Sequence, residues 1–330
     1  MNIAFFSALP IESHWFDQFR GMHRLTYLPQ TLTAETVDQA AGHDAVCAFV
    51  NDDLNRTVLR RLHALGVRTV GMRCTGLDNV DLRALAELDM QLLSVPGYSP
   101  YAVAEQAATL LMGLVRHLPE ASRRVRAGDF TIEGLLGTDL HGKTVGVVGT
   151  GHIGQAFLRI MQGFGCKRLA YDLNPDRRVT ETGVRYVALS TLLEAADVVS
   201  LHCPLTTLTD QLINGQTLSL MKPGALLVNT GRGRLVDTTA VLDALDSGQL
   251  GGYAADVYEN ERTYFYHDFS ATPIPDERLN RLRQHPRVLL TPHQGYFTDD
   301  ALQQIARSLL NQFSYADNQQ QSLATRASMC

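Results

Sequence analysis

The sequence predicts an α/β protein of two doubly wound parallel-sheet domains, one inserted into the other. Three observations predict it. Two separate series of short apolar strands alternate with helical stretches; a glycine-rich loop, "VVGTGHIG" from Val147 to Gly154, opens the second series near mid-chain; and one more helical stretch follows that series. At 330 residues and 45% hydrophobic content, the chain is longer than one typical domain. The expected boundaries are 1–99 with 298–330 for the outer domain, and 100–297 for the inserted one.

From Asn2 to Val95 the runs "NIAFF", "DAVCAFV", "RTVGM" and "QLLSV" read as strands, with "RTVLRRLHALG" as a helix between two of them. Past Pro100 a long helical pattern begins, which Pro119 bends or breaks and Gly128 stops. The second series then runs through "KTVGVVG", "KRLAYD", "ADVVSLHCP", "GALLVNTGRG", "GGYAADVYENE" and "RVLLTPHQG". After Phe297, Ala301, Ile305, Leu309 and Phe313 stand four apart on one helical face, which lets this last helix return to the first domain. The two crossings, near Tyr98 and Gly295, make a hinge on this reading.

Composition excludes several functions. Net charge is −5, with Lys and Arg scattered in nothing longer than a pair, which argues against a nucleic-acid groove or an anionic membrane surface. No stretch approaches the roughly 18 apolar residues that cross a bilayer, so a soluble, cytoplasmic protein is expected. The five cysteines (Cys47, Cys74, Cys166, Cys203, Cys330) form no C-x-x-C pair, and the eleven histidines no H-E-x-x-H. Neither a disulfide framework nor a metal site is expected.

Glycine-rich turns are common, so the context of "GTGHIG" decides its meaning. It follows an apolar strand and enters "HIGQAFLRIMQGFG", where Ile153, Ala156, Phe157, Ile160, Met161 and Phe164 mark one apolar face. Gly149 makes the tight turn, Gly151 lets backbone approach a pyrophosphate, and Gly154 lets helix pack on strand. Asp172 ends the next strand, 18 residues beyond Gly154, where a carboxylate accepts hydrogen bonds from an adenine ribose. It also repels a 2'-phosphate, which favours NAD over NADP. Arg177 and Arg178, just beyond, are the counter-argument.

Ligands of open α/β sheets bind where the strands end. The strand ends of the second series supply His202 with Cys203 and Pro204, then Thr230 with Arg232, then Asp256 with Glu259 and Glu261, and finally His293. A guanidinium, a carboxylate and an imidazole suit reduction of an α-keto acid: Arg grips the substrate carboxylate, His gives a proton to the nascent alkoxide, and an acid keeps that His charged. Arg232 is the candidate for the first role. His293 and His202 compete for the second, with Glu261 as the assisting acid and Asp256 deeper, near the nicotinamide or behind the histidine.

Together "VVGTGHIG", "SLHCPL", "LLVNTGRG", "DVYENE" and "LTPHQGYFT", with "RCTGLDNVDL" and "VPGYSPYAVAE" before them, resemble the D-isomer-specific 2-hydroxyacid dehydrogenases, in particular their fermentative D-lactate branch. The resemblance spans nearly the whole chain. It implies a Rossmann-type nucleotide domain inserted into a flavodoxin-like substrate domain, and NAD as cofactor. It implies Arg232, Glu261 and His293 as the catalytic set, which leaves His202 a structural part. For the substrate it implies Thr75, Gly76, Tyr98, Arg232 and Tyr296. For the cofactor it implies Gly149, Gly151, His152, Ile153, Gly154, Asp172, Cys203, Pro204, Thr230, Arg232, Asp256 and His293. A homo-oligomer, dimer or tetramer, is implied too.

The departures from the family pattern gather near the substrate: Gly97 for alanine, Gln106 where "AEH" puts histidine, and Gly295 with Tyr296 for Ala-Phe. Gly295 and Tyr296 add room and a hydroxyl. The expected reaction is therefore pyruvate plus NADH to D-lactate, with a bulkier or more polar 2-keto acid as the alternative substrate and an NAD-sensing regulator as the remote alternative.

Overall fold

A computed structural model describes residues 1–95, 97 and 99–327, with side chains through 319, so Tyr98 and Cys330 lie outside the described residues. The chain divides into two compact units, Met1–Ser99 with Phe297–Cys330, and Pro100–Tyr296.

The first unit opens with β1 (Asn2–Phe5), α1 (Pro10–Phe19), β2 (Arg24–Tyr27), β3 (Ala45–Ala48), α2 (Arg56–Ala64), β4 (Thr69–Met72), α3 (Leu82–Glu87) and β5 (Gln91–Ser94). Its sheet is parallel throughout, in the order β2-β1-β3-β4-β5. This is the flavodoxin-like order. β3 reads "AVCA" and is buried on both faces, as a central strand covered by helices on either side requires.

The second unit begins with α4 (Pro100–Val115) and α5 (Leu118–Arg126). The break between them falls at His117, whose φ of 49° is left-handed, and Pro119 sits in the first turn of α5. Next come β6 (Thr144–Val148), α6 (His152–Gly163), β7 (Lys167–Tyr171), α7 (Arg177–Thr180), β8 (Arg185–Tyr186), α8 (Leu189–Ala195) and β9 (Val198–Leu201). The remainder is α9 (Gly215–Leu220), β10 (Ala225–Asn229), α10 (Thr238–Ser247), β11 (Leu250–Ala255), α11 (Glu261–Tyr264), α12 (Glu277–Gln284) and β12 (Val288–Leu290). The parallel sheet runs β12-β11-β10-β9-β6-β7-β8. That is the doubly wound dinucleotide order with one strand added, and its direction reverses between β6 and β9. Leu110 and Leu111 of α4 and Phe157 and Met161 of α6 form the core on one face; Leu192, Leu218, Val241 and Leu245 form it on the other.

Helix α13 (Asp299–Ala327) returns to the first unit. Ala301, Ile305, Leu309 and Phe313, the predicted face, are at most 1% exposed. A Cβ at Gly71 in β4 would collide with the Phe313 ring, so the bare glycine is what admits the helix there.

Candidate active site

The glycine loop sits where the larger sheet reverses. Gly149, at φ 93°, lies so close to the β9 loop that a Cβ on it would stand 2.6 Å from the Cys203 amide nitrogen. A Cβ on Gly154 would strike the Gly149 carbonyl, whereas one on Gly151 meets nothing within 4 Å. Two glycines are therefore fixed by packing, and the third, which caps α6, borders open space at a helix N-terminus.

Asp172, just past β7, accepts the Thr150 amide at 2.6 Å, the Thr150 hydroxyl at 3.0 Å and the Asn174 amide at 2.8 Å. Burial works to raise its pKa, but these donors outweigh burial and hold it below the usual carboxylate range. The carboxylate thus stays charged beside the glycine loop. Arg177 and Arg178 pair instead with Glu181 and Asp176. Past β10, the Thr230 hydroxyl is buried and, among the described residues, has no hydrogen-bond partner. An open glycine cradle, a charged Asp172 and an unsatisfied hydroxyl fit a dinucleotide. Burial pushes the Cys203 thiol up to about 11, so it lines this edge protonated and inert.

The two competing histidines separate cleanly. The His202 amide donates to the Val148 carbonyl at 2.8 Å, and its ring shares a hydrogen bond with Ser200 and packs 5.0 Å from Phe157. Burial pushes its pKa down to about 3, so it is neutral near pH 7. His293 instead sets Nδ1 2.7 Å from Glu261 Oε1, with the two side chains 15% and 18% exposed. Glu261 Oε2 accepts the Tyr258 amide at 2.9 Å, which fixes the carboxylate, and Tyr266 donates to the His293 carbonyl at 2.9 Å. His293 has a φ of 54°, a left-handed backbone that costs energy unless neighbours hold it, and the Tyr266 bond is one such hold.

Arg232 follows β10, in the strand next to the one that leads to Asp256 and Glu261. Its loop is braced by buried Asn229, which accepts the Gly231 amide at 3.0 Å and donates to the Arg232 carbonyl at 2.9 Å. The Arg232 guanidinium donates to the Gly231 carbonyl at 2.8 Å. Asp256 is 1% exposed and accepts the Gln294 and Gly295 amides at 3.0 and 2.7 Å, so it lies behind the histidine loop. Tyr296 is buried. Gly295 does not open the room its sequence implies: a Cβ there would stand 3.1 Å from Asp256 Oδ2, tighter than an ordinary contact, with Gln106 Cγ in van der Waals reach at 3.5 Å.

In the first unit, Thr75 and Gly76 follow β4 at the carboxyl edge, and the Thr75 hydroxyl donates to the Val95 carbonyl at 3.1 Å. Sequence reasoning missed what holds this loop. Arg73, fully buried, donates to Glu12 at 2.7 Å and to the Ser7 carbonyl at 2.7 Å, and stacks over Phe49. Asp52 accepts Ser7, Leu32 and Phe49 donors, while Asn79 ties the loop's far end to the Phe49 and Asp52 carbonyls. The available signal was a set of charged residues, Glu12, Asp52 and Arg73, set against apolar runs.

A family profile described as "D-isomer specific 2-hydroxyacid dehydrogenase, NAD binding domain" matches residues 108–295, more than half of the chain. The chain belongs to this family. It is 49% identical to 2-hydroxyacid dehydrogenase A of Aspergillus oryzae over 93% of this chain and 89% of that one. Among solved structures, it resembles apo D-lactate dehydrogenase from Escherichia coli with a TM-score of 0.87 and 40% identity, covering 96% and 97% of the two chains. An NAD-complexed D-isomer-specific 2-hydroxyacid dehydrogenase from Lactobacillus delbrueckii ssp. bulgaricus gives 0.79 and 31%, over 96% and 97%. As a family member, the chain is an NAD-dependent oxidoreductase acting on 2-hydroxy acids, with the two-domain fold described above. No helix among the described residues is long and apolar enough to cross a membrane.

Proposed function

We propose that this dehydrogenase reduces pyruvate to D-lactate, with Arg232 holding the substrate carboxylate and His293 giving the proton. The observation that carries the reading is the 2.7 Å contact between His293 Nδ1 and Glu261. It fixes the ring and leaves Nε2 to donate. The guanidinium of Arg232 is planar and permanently charged, and suits bidentate capture of a carboxylate. On the same reading the Thr75 and Gly76 amides serve that carboxylate, and Tyr98 and Tyr296 contact the substrate.

Gly151, His152 and Ile153 would hold the cofactor pyrophosphate, Asp172 the adenine ribose, and Cys203, Pro204, Thr230 and Asp256 the remainder. When bound, NADH supplies the hydride that reaches the keto carbon. His293 Nε2 moves its proton onto the keto oxygen, Glu261 holds the resulting charge balance, and Arg232 keeps the carbonyl in line.

The test is a substrate panel at saturating NADH. Pyruvate is expected to rank first by kcat/KM over phenylpyruvate, 2-ketoisocaproate, hydroxypyruvate and glyoxylate, and a bulkier acid in first place overturns the lactate assignment. We further place the enzyme in the cytoplasm as a homo-oligomer, dimer or tetramer. Exposed Leu118, Phe130, Ile132 and Leu136 on one stretch of the second unit support self-association, which light scattering measures directly.

A further inference from the structure

Gln106 and Gly295, two of the residues that depart from the family's habit, are tied to the same carboxylate, Asp256: Gly295 through its amide and Gln106 through Thr291. Gln106 Nε2 on α4 donates to the Thr291 hydroxyl oxygen at 3.1 Å. The Thr291 hydroxyl in turn donates to Asp256 Oδ1 at 2.5 Å. The same carboxylate receives the Gln294 and Gly295 amides, which directly follow His293. A Cβ at 295 would press on Asp256 Oδ2 at 3.1 Å, so the bare glycine is what lets its amide sit tightly on that carboxylate.

We propose that Gln106 is a positioning residue: by presenting a donor rather than a competing acceptor to the Thr291 oxygen it leaves Asp256 the acceptor of the single Thr291 hydrogen, and so keeps the His293 loop anchored on that carboxylate. The argument is one of hydrogen-bond direction. A side-chain NH2 can only donate, so the Thr291 oxygen spends a lone pair on Gln106 and its one proton on Asp256. Asp256 needs each donor. Burial raises its pKa, against the pull of Thr291, the Gln294 and Gly295 amides and the charge of His293, the charged group that acts on it; Gln106, Thr291 and Asn229 bring none. A carboxylate deprived of its hydroxyl donor in so dry a place takes up a proton or pulls away from its amides, and the turn bearing His293 moves with it.

This inference rests on the dehydrogenase reading and is tested with the full chain, pyruvate and NADH. Gln106→Glu has the same shape but can only accept, so it draws the Thr291 proton away from Asp256. Gln106→Met has no acceptor and leaves that proton where it is. We expect Gln106→Glu to lower kcat by about tenfold or more, the scale of one hydrogen bond to a charged group, with KM for pyruvate and the Kd of NADH within about threefold of wild type. Gln106→Met should cost about two- to threefold. Thr291→Val should match Gln106→Glu, and adding Gln106→Glu to Thr291→Val should cost no more than about threefold further. Equal losses in the Glu and Met variants, with wild-type turnover intact, overturn this proposal alone. A wild type that reduces no 2-keto acid overturns the parent reading and this one with it.

Discussion

Two histidines stand just past strands of one sheet, three positions apart in strand order, and only one is equipped to carry a proton. The β9 loop buries His202 against Phe157 and gives it a hydroxyl partner, so its charged form is disfavoured. The β12 loop leaves His293 partly exposed and sets it against a carboxylate that is itself fixed by a backbone amide. Residue type is the same, and each stands within three residues of its strand end. Solvent and one anion make the difference, and neither is a local property of the chain.

That contrast can be broken from several sides. The largest effect is expected at Arg232. Arg232→Ala removes the charge proposed to meet the substrate carboxylate and should lower kcat/KM for 2-keto acids by about 10^3-fold, with the Kd of NADH moved far less. Steady-state kinetics with fluorescence titration of NADH separates the two. Glu261→Gln keeps the shape beside His293 but removes the anion, and should lower kcat by about 10- to 100-fold. If it turns over like wild type, His293 needs no carboxylate and the comparison loses its basis.

Asp172→Ser removes the charged acceptor proposed for the adenine ribose. It should raise KM for NADH by about tenfold while narrowing the preference for NADH over NADPH, which parallel assays with both cofactors measure. The smallest effect on turnover belongs to His202. His202→Gln should leave kcat within about threefold, yet alter the pH dependence of stability. A histidine at about 3 when folded and about 6.5 when unfolded binds more protons in the unfolded chain between those values. The wild type therefore loses stability as pH falls below 6.5, by about 2 kcal/mol at pH 5 from this residue, and the variant should show a shallower fall in Tm across pH 7 to 5.

How far sequence carried the description depends on the range of each interaction. The glycine loop, its strand and helix, and Asp172 lie in one short stretch and obey rules of turn geometry, so they were legible. The two units followed from the two strand series, and the face of α13 from its spacing. The supports of the site were not legible. Tyr266 reaches the His293 carbonyl across 27 positions, and Arg73 reaches Glu12 across 61. Nothing near either residue announces its partner. Gly295 is the instructive failure: a missing methyl reads as added room, yet a methyl there would face the Asp256 carboxylate, 39 positions earlier in the sequence, at 3.1 Å.

The central claim is that His293, and not His202, gives the proton. Single-turnover reduction of pyruvate by preformed enzyme–NADH complex, compared between His293→Ala and His202→Gln, tests it most directly. The account predicts a loss of about 10^2- to 10^4-fold in the first variant and about threefold or less in the second, with NADH bound normally in both. The reverse order, or a His293→Ala enzyme that turns over like wild type, contradicts it.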